Sequence, residues 1–126
     1  MIGCYETITI WKKRYNSQTK KDEYTRSVIP VLCKWRVREI RTVTERGAIT
    51  KRYATVIIPY DNDYQFDGKI GDYVALGLHE TEITGEKPYT AAELKEHLSP
   101  DFMQIEYIKD GTFSPIGRRY KIEGVV

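Results

Sequence analysis

Apolar and polar positions alternate with a period of two along most of this chain, which is the spacing of a strand with two different faces. Over Tyr5–Tyr15 the alternation sets Ile8 and Ile10 on one face and Thr7, Thr9 and Trp11 on the other. The polar stretch 16–22 then reads as an exposed hairpin loop with the composition of a mobile tip. A long β-branched and aromatic run from Tyr24 to about Ile40 is interrupted by Pro30. Proline cannot donate to a sheet ladder, so the run is expected to bend or bulge there and to lie at a sheet edge on one side of the break. Beyond it the alternation resumes, with Cys33, Trp35 and Val37 on one face and Lys34, Arg36 and Arg38 in a row on the opposite, solvent face.

Ala48–Ile58 forms another strand, ended by Pro59, and 60–69 reads as a long acidic and aromatic loop. Gly71-Asp72 introduces a short strand, Tyr73–Leu76, that Gly77 closes. One helix is expected, Thr90–Leu98: Thr90 and Glu93 have the spacing of a capping box, Leu94 and Leu98 form a single apolar stripe, and Ser99-Pro100 stops it. The last third, Phe102–Ile108 and Arg119–Val126 around an Asp110-Gly111 turn, reads as a terminal hairpin with Tyr120 and Ile122 on one face. Six or seven short strands with one short helix near 90–98 predict a mainly β fold, a barrel or sandwich, built as one domain over residues 1–126.

Composition supports one folded core: among 126 residues, 40% are hydrophobic and 30% charged, too apolar for a disordered chain. No apolar run approaches the ~20 residues that span a bilayer, and the opening lacks the plan of a secretion signal, so a cytosol-like setting without membrane contact is expected. In that setting Cys4 and Cys33 are expected as free thiols, with Cys33 a small buried apolar residue. The net charge of +2 hides an asymmetry: residues 1–60 carry thirteen cations against five carboxylates, and residues 61–126 seven against thirteen. Either the halves form a dipole suited to head-to-tail self-association, or the charges intermix on one surface.

Chemistry is sparse. The two histidines, His79 and His97, belong to no nucleophile–base motif, and ordinary surface or half-buried roles are expected for both. Asp61, Asn62 and Asp63 open like a calcium loop, but the glycine and closing glutamate of that pattern are missing, so a polar turn is the better reading. No zinc spacing and no phosphate-cradling glycine loop is present. The expectation is therefore a protein with no catalytic, cofactor or metal site, working by binding or assembly. Arg36, Arg38, Arg41, Lys51 and Arg52 are the candidate contacts to DNA or to assembly partners. Tyr15, Tyr24, Trp35 and Tyr53 lie among these and neighbouring cations, as stacking residues for bases would. Their alternation favours a core position, leaving the cations as a solvated face that can touch phosphate.

Several segments together resemble a family of minor structural proteins of tailed phages and prophages of Gram-positive bacteria, from the region joining head to tail. These are Tyr5–Trp11 with the polar loop and Tyr24–Ile29; the Gly71–Gly77 strand; Thr84-Gly85 and Pro88-Tyr89-Thr90 leading into the helix; and Arg118–Val125. The turn Lys109–Pro115 departs from that family's pattern, so no functional residue is carried over. The resemblance implies a non-enzymatic virion subunit, similar to head-completion or stopper proteins. Its implied partners are portal or adaptor and tail proteins and copies of itself in a ring, with non-specific DNA contact, and its implied locations are the virion and the bacterial cytoplasm during assembly. The alternative is a small barrel that binds single-stranded nucleic acid through Arg36, Arg38 and Trp35.

Overall fold

The computed structural model describes residues 4–61, 64–111 and 118–126. Eight strands and one helix follow in the order β1 (Ile8–Asn16), β2 (Lys21–Val28), β3 (Lys34–Thr44), β4 (Gly47–Pro59), β5 (Tyr73–Leu76), α1 (Ala91–Leu98), β6 (Phe102–Gln104), β7 (Tyr107–Asp110) and β8 (Arg119–Val125). They form two antiparallel four-stranded sheets, ordered β2-β1-β5-β6 and β3-β4-β8-β7. The fold is thus mainly β with a single short helix, as the alternation requires. Of the two architectures expected, it is the packed pair of sheets.

The core lies between them. Ile8 and Ile10 of β1, Val74 of β5 and Met103 of β6 meet Trp35 of β3, Val56 and Ile58 of β4 and Ile122 of β8 in one cluster. Burying each such side chain contributes about 1.5–3 kcal/mol. The opposite face of β1 is buried too. Trp11 packs with Ala75, Ile83 and Phe102, and Leu94 and Leu98 of α1 close over them. The helix begins where the capping box places it, with Thr90 Oγ1 accepting from Glu93 N at 3.3 Å. Its stripe explains why β1 is apolar on both faces: one faces the other sheet, the other lies under α1.

Pro30 marks a change of sheet rather than a bulge in one strand, with β2 ending in the first sheet and β3 starting in the second, each at an edge. A second switch corrects the expected single strand Phe102–Ile108. β6 pairs with β5, whereas β7 pairs with β8 in the other sheet, and Ile105 and Glu106 make the corner. At that corner Gly124 lies against the Gln104 carbonyl oxygen, so close that a Cβ there would collide with it. The expected mobile loop 16–22 is also shorter than predicted. β1 and β2 stay paired to Asn16↔Lys21, and the Asn16 side-chain oxygen accepts from Gln18 N at 2.9 Å, an Asx turn.

Asp72 ties the loop before β5 to β1. It is 1% exposed, and its carboxylate accepts from Lys13 N at 2.9 Å, Lys69 N at 2.8 Å and Arg14 Nη1 at 2.7 Å. A buried carboxylate with three donors is a structural clamp. Asn62 and Asp63, which the calcium-loop comparison used, lie outside the described residues, as does most of the turn that follows Gly111.

Candidate functional site

The candidate cations converge on one hairpin. β3 and β4 stay paired from Lys34↔Ile57 to Thr44↔Gly47, so that Glu45-Arg46 is a two-residue loop and Gly47, at φ +119°, takes a backbone region that favours glycine. Only the base of this hairpin belongs to the sandwich. From Val37 outward on β3 every residue is exposed, as is every residue of β4 up to Arg52. The distal half is therefore a two-stranded arm, with Ile40, Val43 and Ile49 at 42%, 78% and 52% exposure. β3 was expected to end near Ile40, so the arm is the largest feature the sequence reading missed. Its signal was present: Val43, Ala48 and Ile49 continue the β pattern on both sides of a short polar turn.

Cross-strand partners share a face, which divides the five candidates. Arg36 and Arg38 face outward with Thr55 and Tyr53, and Lys51 joins them opposite Ile40. Arg41 and Arg52 point to the other side, Arg41 opposite Thr50 and Arg52 opposite Glu39. Arg52 Nε donates to Glu39 Oε1 at 2.7 Å. Arg38 Nη2 stands 3.7 Å from Glu123 Oε1. Arg36, Arg41, Arg46 and Lys51 make no ion pair among the described residues.

Trp35 does not join the cationic face. It is buried in the core, with its backbone N–H donating to Glu6 Oε2 at 2.8 Å, so direct binding through Trp35 is excluded by geometry. Tyr24 is half-buried against Tyr73 and Tyr15 is exposed at the far end of the other sheet. Tyr53, by contrast, sits on the outward cationic face beside Arg38.

Charge is intermixed in one sheet and segregated in the other. On β1 and β2, Lys12, Arg14 and Arg26 pair with Asp67, Asp72 and Glu82 from the acidic half. The Lys12 ammonium bonded to Asp67 holds that carboxyl below its usual range, against the smaller opposing effect of burial. Among the described residues the arm has no such partner from the acidic half beyond Glu123. An apolar groove of about 290 Å³ lies between α1 and the segment after β5: His79, Glu82, Ile83, Tyr89, Leu94 and His97 line it, Glu82 being its one carboxylate. His79 Nε2 contacts the Leu76 carbonyl at 2.7 Å, and Glu82 holds Arg26 at 2.8 Å. The groove's histidines thus lie near a carboxylate that is already engaged. No cluster of His, Cys, Asp and Glu suited to a metal occurs among the described residues.

Cys4 and Cys33 are free and buried. Burial, with smaller contributions from Cys4 and Glu6, pushes the Cys33 thiol up to about 12. Such a thiol is inert at neutral pH.

Fold and surface together define a two-sheet β domain with a projecting, basic and partly apolar hairpin arm. The chain belongs to DUF6751, a family of unknown function whose model matches residues 4–125. Comparison with curated proteins finds no match, and neither does comparison with solved structures.

Proposed function

We propose that this protein is a non-enzymatic assembly subunit that grips a neighbouring subunit with its β3–β4 arm. The carrying observation is the arm itself: Ile40, Val43 and Ile49 stand in solvent on a ribbon that contributes nothing to the core. A two-stranded ribbon is marginal alone, and exposed apolar side chains on such an element are accounted for by a partner that covers them. The groove beside α1 supplies a surface on the same chain that can receive apolar side chains, lined by Ile83, Tyr89, Leu94 and Leu98 with Glu82 as its one carboxylate. Arm-to-groove contact between copies is heterologous, so repeating it yields a ring or a filament.

The resemblance to head-tail joining proteins of tailed phages gives this subunit its setting: a head-completion or stopper-like component of a virion, contacting portal, adaptor or tail proteins. Gene order tests the setting, since portal and capsid genes upstream with tail genes downstream support it and a metabolic operon ends it. Sedimentation tests the arm. Replacing residues 39–52 by Asn-Gly joins the cross-strand partners Arg38 and Tyr53, a hydrogen-bonded pair in the same parity as Thr44 and Gly47, through a two-residue hairpin loop. The full chain should associate with rising concentration and the shortened chain should stay monomeric and folded. Identical sedimentation of the two overturns the reading.

A further inference from the structure

We propose that the outward face of the β3-β4-β8-β7 sheet is a binding platform for single-stranded nucleic acid, independent of the arm's grip on a neighbour. The register assembles it from residues far apart in sequence. One rung runs Lys34–Ile57–Lys121–Lys109 across all four strands, the next Arg36–Thr55–Glu123–Tyr107, the next Arg38–Tyr53–Val125, and Lys51 follows beside Ile40. Seven cations, Lys34, Arg36, Arg38, Lys51, Lys109, Arg119 and Lys121, thus share a face with one carboxylate among the described residues. That carboxylate is already engaged: Glu123 Oε1 lies 3.3 Å from Lys121 Nζ, 3.7 Å from Arg38 Nη2 and 3.3 Å from Thr55 Oγ1. Lys34, Arg36, Lys51 and Lys109 have no ion-pair partner among the described residues.

Stability does not account for this arrangement. Lys109 and Lys121 are direct cross-strand partners, and like charges in that position destabilise a sheet. A bound anion reverses the sign of that pairing. Along β3 the cations recur every second residue, about 6.6 Å apart, so they follow an extended polyanion as a track rather than gripping a single phosphate. Two tyrosines are set among them. Tyr107 is 51% exposed and lies in the rung of Arg36; Tyr53 is half-buried beside Arg38. Cations along a strand with aromatic rings between them hold backbone phosphates while bases stack, which selects unpaired over paired nucleic acid. The chain's net charge of +2 means that the cations gathered on this face are balanced by carboxylates elsewhere on the chain.

The test is fluorescence anisotropy of a labelled oligothymidine strand with the full chain, at low and raised salt. Binding is expected at low salt; if four phosphates are neutralised, log K falls against log salt with a slope of about −3. Lys109→Glu with Lys121→Glu should weaken binding at least tenfold. Lys20→Glu with Lys21→Glu, an equal charge change on the turn of the other sheet, should leave affinity within twofold. Arg36→Gln with Lys109→Gln repeats the face test without adding carboxylates beside Glu123, and thermal unfolding establishes that each variant is folded. Tyr107→Ala should weaken the single strand several-fold and a duplex of the same length little. Absence of binding at low salt overturns the proposal, as does equal loss in the two lysine pairs. Duplex binding as tight as single-strand binding with no effect of Tyr107→Ala overturns the single-strand assignment. Loss of self-association in the face variants without any oligonucleotide binding assigns the face to an acidic protein surface instead. The Asn-Gly arm replacement removes Lys51 but should keep most of the affinity even where it abolishes association, so the two readings fail separately.

Discussion

The two halves of the β3–β4 hairpin share the same strands, ladder and alternation, yet only the basal half is buried. At the base, Trp35, Ala54, Val56 and Ile58 lie between the sheets; a few residues further out, Ile40, Val43 and Ile49 have the same β-forming character and stand in water. Periodicity therefore reports how a strand is shaped and which residues share a face. Whether a face is covered depends on what lies opposite, and β1, β5 and β6 end before the arm does. An apolar alternation that outruns its covering sheet marks a surface kept for something other than the chain's own core.

The largest expected effect breaks the comparison at the base. Ile58→Ala, at a fully buried site, should cost about 2–5 kcal/mol through lost transfer energy and an unfilled cavity. Ile49→Ala on the same strand should change stability by no more than about 0.5 kcal/mol. Urea unfolding of both variants measures the contrast, and equal losses would mean the arm is covered in solution by its own domain.

The base also depends on a contact that alternation does not announce. Gly124 sits where β6 crosses the end of β8, and the Gln104 carbonyl occupies the space a Cβ would need. Gly124→Ala should cost about 1–3 kcal/mol, because backbone rather than a flexible side chain must give way. Thermal unfolding tests this. Gly47→Ala at the arm's tip meets nothing within 4 Å, so its cost should come from the positive φ alone and stay below that of Gly124→Ala.

These contacts show what the residues could and could not reveal. Strand β1, the Pro30 break, helix α1 with its Thr90 cap, and the outward row of Lys34, Arg36 and Arg38 were legible because each depends on neighbours in sequence. The sheet switch at Ile105-Glu106 was not, since Phe102–Ile108 carries no proline or glycine to break it and only long-range pairing divides it. The platform was half legible for the same reason. β3 shows its cations in a local alternation, whereas Lys109 and Lys121 join them only through the β4-β8-β7 register. Arg41 and Arg52 were grouped with Arg36 by composition and are separated from it by parity.

A smaller effect appears at alkaline pH and again divides base from arm. Cys33 is an acid whose pKa is raised from 9.0 to about 12 by burial, with Cys4 and Glu6 adding to it. Its stabilising contribution is complete below the unfolded value and is lost as pH rises from 9.0 towards the folded value, because the unfolded thiol ionises first. The limiting slope is about 1.4 kcal/mol per pH unit for one such group. Tyr64 and Tyr120, also raised mainly by burial, act in the same direction at higher pH. Melting temperature should therefore fall above pH 9, and Cys33→Ala should show a shallower alkaline fall despite a lower starting stability. An unchanged slope would place the thiol in contact with water.

The smallest effect lies on the arm. Arg52 and Glu39 form a 2.7 Å ion pair, but their side chains are 57% and 55% exposed, so solvent screens the attraction and two long side chains give up freedom to make it. Arg52→Ala should move the folding free energy by no more than about 0.5 kcal/mol. If the arm grips a neighbour, however, the same pair is dehydrated in the complex, and Glu39 left without its partner costs more there than in the free chain. Arg52→Ala should then weaken association while leaving the unfolding midpoint of the monomer in place. A mutation silent in stability and visible in sedimentation is what distinguishes an arm built for a partner from a ribbon that merely overhangs its domain.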